Sequence, residues 1–189
     1  MAQGGTSSAR VYEEYLVAGA RLGDRHAVAR LVVHRGPKLF AHAMRLLGDR
    51  TEAEDVVQDA WIEILQGLAG LRDERAFPAW AYRIVSRRAA KTIGGKIRQR
   101  TVARDLGAGA ETEAPEAGPA AADARAIRAA IATLPPDQAA TIALFYLEEM
   151  TVTEVAVALD VPPGTVKTRL MHARTRLHEA LKGDADEQT

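Results

Sequence analysis

Residues 151–177 read TVTEVAVALDVPPGTVKTRLMHARTRL, and their punctuation decides the fold. Thr151-Val152-Thr153-Glu154 has the form of a capping box, in which a hydroxyl and a carboxylate satisfy each other's exposed amides, so a helix starts at Val152. Val155, Ala156 and Leu159 give that helix an inward side. Asp160–Pro162 reads as a tight turn, and Pro163 opens a second helix at its first position. In the second helix Val166, Leu170, Ala173, Leu177 and Leu181 recur in steps of four and three, which makes one buried stripe. A short capped helix, a tight turn and a longer basic helix form a helix-turn-helix, whose second member fits the major groove of DNA. Lys167, Thr168, Met171, His172 and Arg174 lie opposite the stripe, where base edges and phosphates come within reach. The plain alternative is a helical hairpin with a solvated basic face.

Outward from this hairpin the periodicity stays helical, with no strand pattern and no internal repeat. Asp123–Thr133 and Pro136–Leu147 complete a C-terminal module over 123–182, followed by a tail over 183–189. Upstream, residues 105–122 hold seven Ala, three Gly, two Pro and four acids against a single aliphatic side chain, Leu106. Such a segment cannot bury a core and reads as a flexible linker, about 23 Å long when relaxed and about 60 Å when stretched. The N-terminal module, 10–104, follows a short disordered start at 1–9. Its expected helices are Tyr12–Leu22, Ala27–His34, one opened by Pro37 and closed by Gly48, one capped by Thr51 and Glu54 and running to about Leu68, and one beginning near Pro78. The fourth carries an inward stripe of Val57, Ala60, Trp61, Ile64, Leu65 and Leu68. Gly94-Gly95 is expected to fray or end the fifth.

The 189 residues are 47% apolar and 26% charged, the profile of a folded globular chain. Cysteine is absent, which excludes a disulfide scaffold, a thiol nucleophile and every Cys-ligated metal site. No run of about 18 apolar residues occurs, and Met1–Arg10 lacks an apolar core, so neither a membrane span nor a signal peptide is expected. The formal charge of zero is a cancellation: residues 1–100 carry 17 basic against 11 acidic side chains, residues 101–189 carry 8 against 14. Over 83–104 there are eight cations and no acid, with Trp80 and Tyr82 just upstream. Cations with aromatic faces suit single-stranded nucleic acid, although aromatics at helical spacing are more often core.

Four motifs, in order and with family-like spacing, carry a resemblance. Ala53-Glu54-Asp55-Val56-Val57-Gln58-Asp59, Phe77-Pro78-Ala79-Trp80-Ala81-Tyr82-Arg83-Ile84, Leu134-Pro135-Pro136-Asp137-Gln138 and Gly164-Thr165-Val166-Lys167-Thr168-Arg169-Leu170 resemble the extracytoplasmic-function branch of the bacterial sigma-70 family over residues 10–182. The resemblance implies an all-α protein of two small helical domains, region 2 and region 4, that gives core RNA polymerase its promoter specificity. It implies that Asp55, Gln58, Asp59 and Ile62 meet the clamp helices of the largest subunit. That row recurs every three or four residues on one helical face, and its acids suit a basic partner. It implies that the -10 element is opened and held by the loop Arg72, Asp73, Glu74 and Arg75 together with Trp80, Tyr82, Arg83, Arg87, Arg88 and Lys91, the four cations on backbone phosphates. The -35 element falls to Thr165, Lys167, Thr168, Arg169, Met171, His172, Arg174 and Arg176, with the flap of the second-largest subunit touched by the same module.

The same resemblance implies a cytoplasmic bacterial protein, at the nucleoid when active and controlled by an anti-sigma factor that can hold it at the membrane. No catalytic residue, metal or cofactor is expected. A di-metal helical bundle would need Glu-x-x-His pairs, and the five histidines, His26, His34, His42, His172 and His178, offer none. The alternative within the resemblance is a sigma mimic that sequesters an anti-sigma factor.

Overall fold

The computed structural model describes the backbone of residues 4–104 and 129–186. The linker expected at 105–122 and the start of the helix expected at Asp123 lie outside the described residues. Among the described residues there is no strand, and no helix is long and apolar enough to cross a membrane. Helices α1 (Gly4–Arg21), α2 (Arg25–Leu47), α3 (Arg50–Gly67) and α4 (Phe77–Arg104) make the N-terminal module. The helical turn 129–132 is α5; α6 (Pro136–Tyr146), α7 (Val152–Leu159) and α8 (Pro163–Asp186) make the C-terminal one.

The hairpin at 151–177 forms as its caps dictate. Thr151 accepts from Glu154 N at 3.2 Å while the Glu154 carboxylate accepts from Thr151 N at 2.7 Å. Asp160 ends α7 in the left-handed region at φ 55, a conformation Asp tolerates better than most residues. Val155, Ala158, Val166 and Ala173 are fully buried, and Leu170 nearly so.

Six expectations about the helices need correction. Pro37 lies inside one continuous α2 and does not open a helix. Losing its amide costs about 3 kcal/mol, but Val33 and Pro37 face solvent while Leu31, Leu39 and Ala43 are fully buried on the other side. At about 2 kcal/mol for each large apolar side chain, that stripe outweighs the break. The cap of α3 is Asp49, whose carboxylate accepts from Glu52 N at 2.9 Å, two residues before the expected Thr51. Leu65 stays exposed, because at 3.6 residues per turn it points to one side of the stripe that Ala53, Val56, Ala60, Ile64 and Leu68 bury. Helix α4 runs through Gly94-Gly95 to Arg104, with Lys96 beyond the pair anchored to Glu52 of α3 at 2.6 Å. Finally, α1 already begins at Gly4, so positions 4–9 are helical, and α8 runs to Asp186, into the expected tail. Gly48 closes α2 at φ 70, as expected for a left-handed cap.

The modules are packed together. Helix α7 lies across α4 and α6 against α2, and the buried residues form one cluster from Leu16 to Ala173. At its centre the α2 side chain Arg35, 5% exposed, grips the Glu13 carboxylate of α1 with Nε at 2.5 Å and with Nη2, and reaches Glu148 of the C-terminal module at 3.1 Å. Lys38 joins Glu148 at 3.0 Å. Burial alone would lower the Arg35 pKa, but Glu13 and Glu148 more than offset it, so the guanidinium stays charged above its ordinary range.

Candidate nucleic-acid interface

Asp55, Gln58, Asp59 and Ile62 all stand exposed along one face of α3, as their spacing requires. Ile62 is 52% exposed and Leu65 extends the apolar part of the face. Polar ends beside apolar side chains on one exposed strip are what a docking helix needs.

The loop before α4 is held by its own charges. Asp73 caps a 3-10 turn, Glu74–Ala76, by accepting from Arg75 N at 3.0 Å, and its carboxylate also takes the Arg75 guanidinium at 3.0 Å through two nitrogens. Those hydrogen bonds hold the Asp73 pKa below the usual carboxylate range. Glu74 pairs with Arg21 of α1, and Arg72 is exposed. The loop is therefore tied to α1 at one point and to itself at another.

Trp80 is half-buried, with its ring edge over Gly67; a Cβ at Gly67 would come within 2.9 Å of Trp80 Cζ2. The ring lines a groove of about 670 Å³ whose other wall is α7, through Thr153, Glu154 and Val157. Tyr82 must be corrected as a base contact: it is 1% exposed and belongs to the core. Its ring sits edge-on to His42 at 5.0 Å and under Arg35 at 5.7 Å. Burial, reinforced by Glu148, pushes its phenol pKa up. His42, fully buried, bonds Ser86 Oγ of α4 at 2.8 Å, and burial with Arg45 nearby lowers its pKa to about 3, so it is neutral at neutral pH.

The basic row of α4 is engaged, with Arg83 and Arg87 exposed and Arg88 half-buried. Arg83 reaches Asp160 at 2.8 Å, Arg87 reaches Glu63, and Arg88 divides between Asp59 at 2.8 Å and Glu63 at 3.1 Å; Lys91 is exposed. Glu63 was invisible as a partner in the sequence, although its place four residues after Asp59 on α3 is a usable signal. Arg35 and Glu148, separated by 113 residues, offered no such signal.

On α8, Lys167, Thr168, Met171 and His172 form an exposed patch near the helix start, and Arg176 is exposed one turn beyond. Two of the expected base-facing cations are turned elsewhere. Arg169 is paired with Asp137 of α6 at 3.2 Å. Arg174 lies over the rings of Phe145 and Tyr146 and donates to the Tyr146 hydroxyl at 2.9 Å. Thr165 is half-exposed.

Comparison with known proteins agrees with both modules. The family model for sigma-70 region 2 matches residues 31–98, and that for sigma-70 region 4 matches residues 124–177. The chain is 27% identical to the RNA polymerase sigma-H factor of Pseudomonas aeruginosa, covering 90% of this chain and 94% of that one. It is 29% identical to the ECF RNA polymerase sigma factor SigW of Bacillus subtilis, covering 85% and 91%. It is also 29% identical to the ECF RNA polymerase sigma-E factor of Escherichia coli, covering 93% and 97%. Among solved structures, the sigma factor RpoE of Bartonella quintana, crystallised with the anti-sigma factor NepR, superimposes with a TM-score of 0.64 at 26% identity, over 82% of this chain and 96% of that one. With a region 2 and a region 4 in the family's order, and with relatives named as ECF sigma factors that align over nearly their whole length, the chain belongs to the sigma-70 family.

Proposed function

We propose that the chain is a promoter-specificity subunit that binds core RNA polymerase and directs transcription initiation. The observation that carries this reading is that one chain presents an exposed Asp55-Gln58-Asp59-Ile62 face on α3 and an exposed Lys167-Thr168-Met171-His172 face on α8. The first suits the basic clamp helices of the largest subunit, and the second suits the major groove at the -35 element. Region 2 spans 10–104 and region 4 spans 123–182, with 105–122 as the linker between them. The -10 element falls to the Arg72–Arg75 loop, to Trp80, and to Arg83, Arg87, Arg88 and Lys91 on phosphates. Opening the duplex needs only binding energy that offsets unstacking. Region 4 also meets the flap of the second-largest subunit.

Control by an anti-sigma factor fits the same reading, since the Bartonella relative was solved with one. The chain would act in the cytoplasm, at the nucleoid when active and at the membrane when a membrane-held inhibitor retains it. Run-off transcription with purified core polymerase on a genomic fragment pool tests the reading. New discrete start sites that vanish in an Asp55→Ala/Asp59→Ala variant support it. No stimulation, with tight binding to a regulatory protein instead, would turn the reading to a sigma mimic.

A further inference from the structure

The three arginines that the proposed function places on DNA phosphates already hold anionic oxygens, and in each case these belong to the chain itself. Arg87 donates to Glu63 Oε1. Arg88 donates to Glu63 Oε2 from Nε at 3.1 Å and to Asp59 Oδ2 from Nη1 at 2.8 Å. Arg83 donates to Asp160 Oδ1 at 2.8 Å. A carboxylate offers a guanidinium the same planar pair of acceptor oxygens that a phosphate offers. We infer that Glu63 and Asp160 are internal stand-ins for DNA phosphates, which keep the -10 face of the isolated protein neutralised until its partners displace them. The inference rests on the reading of α4 as that face.

The position of each acid gives the release its order. Asp59 and Glu63 lie on α3, and Asp59 is within the row proposed to meet polymerase. A basic clamp helix that takes Asp59 removes one of the two carboxylates holding Arg88 and competes for the second. Asp160 sits in the turn of the helix-turn-helix, 77 residues from Arg83, so it departs when region 4 leaves region 2. Docking on polymerase and separation of the modules therefore each unmask part of the same basic row. Pairs that stay in contact with water, as the exposed Arg83–Asp160 and the half-exposed Arg88–Glu63 do, are weak enough to be exchanged in this way: each one shifts an equilibrium by about 1.4- to 5-fold. A buried pair would hold too firmly.

The test uses the full chain without polymerase and a fluorescent mixed-sequence single-stranded DNA 12-mer, followed by anisotropy across a salt series. Glu63→Gln tightens binding about 1.4- to 5-fold, since Arg87 is freed while Asp59 still holds Arg88. The plot of log affinity against log salt steepens by about 0.7 for that one phosphate contact. Asp160→Asn keeps the left-handed turn and gives a gain of about 1.4- to 5-fold. Glu54→Gln removes the same charge from the same helix but frees Arg50, outside the proposed row, and leaves affinity unchanged. In an Arg87→Gln/Arg88→Gln background the Glu63→Gln gain disappears. A Glu63→Gln protein that binds like wild type, one that gains no more than Glu54→Gln, or a gain that survives in the arginine-free background overturns the inference. A gain confined to intact arginines, in a protein that starts no transcription with core polymerase, would sink the proposed function and leave the stand-in role standing.

Discussion

Arg35 and Arg88 each bridge two carboxylates, yet one is built into the fold and the other sits on its surface. Arg35 and Glu13 side chains are 6% and 3% exposed; Arg88 and Asp59 are 30% and 63% exposed. Water screens the second set and leaves it worth little, whereas the first set has lost its hydration and holds its charges only through one another. The same chemistry thus serves as scaffold in one place and as an exchangeable contact in the other. Depth of burial separates them, and residue type does not.

That contrast can be broken at several points. The largest effect is expected from Arg35→Met, which strands the Glu13 carboxylate in the core and should lower unfolding free energy by about 3–5 kcal/mol in urea titrations. Adding Glu13→Leu should recover much of the loss. A single variant that loses under about 1 kcal/mol would erase the distinction between the two sites.

Next is the buried imidazole. The folded pKa of His42, about 3, lies below its ordinary value of about 6.5. The unfolded chain therefore binds the extra proton first, and stability present above pH 6.5 is lost as pH falls toward 3. Between pH 7 and pH 5 this group alone should remove about 2 kcal/mol, and a His42→Gln variant should lack that component in paired urea melts.

Glu148→Gln is intermediate, because the carboxylate is 15% exposed and ties Arg35 and Lys38 across the modules. It should cost about 1 kcal/mol and raise the radius of gyration in small-angle scattering as region 4 swings free. An unchanged radius would place the holding of the modules in the apolar contacts between α4 and α7. Least of all is Arg50→Ala, whose partner Glu54 is one turn away and 54% exposed. Its melting curve should match wild type within about 0.5 kcal/mol.

Legibility in the sequence follows the range of the interactions. The start and turn of α7–α8 were readable to the residue, because Thr151 with Glu154, Asp160 and Pro163 act on backbone groups within a few positions. The exposure of the α8 patch and of the α3 row followed from periodicity. Pro37 inside α2 was not readable, since its tolerance depends on which side of the helix meets the core. The cap at Asp49 competed with an equally good local candidate at Thr51. Tyr82 could not be assigned to the core from its helix alone, because Arg35 and His42 arrive from α2 and Glu148 from the C-terminal module. The pairing of Arg87 and Arg88 with Glu63 was missed for the same reason: α3 and α4 share no sequence period.

Asp160 combines two duties that need not travel together. Its left-handed backbone shapes the turn between α7 and α8, and its carboxylate fastens region 4 to Arg83. Asp, Asn and Gly all accept that backbone readily, but only Asp carries charge. A single substitution among these three adjusts how firmly the two halves are fastened while the geometry of the α7–α8 turn is preserved. Closure strength and the exposed face of α8 can therefore drift independently, the first set by a charge at one turn and the second by side chains that the turn merely aims.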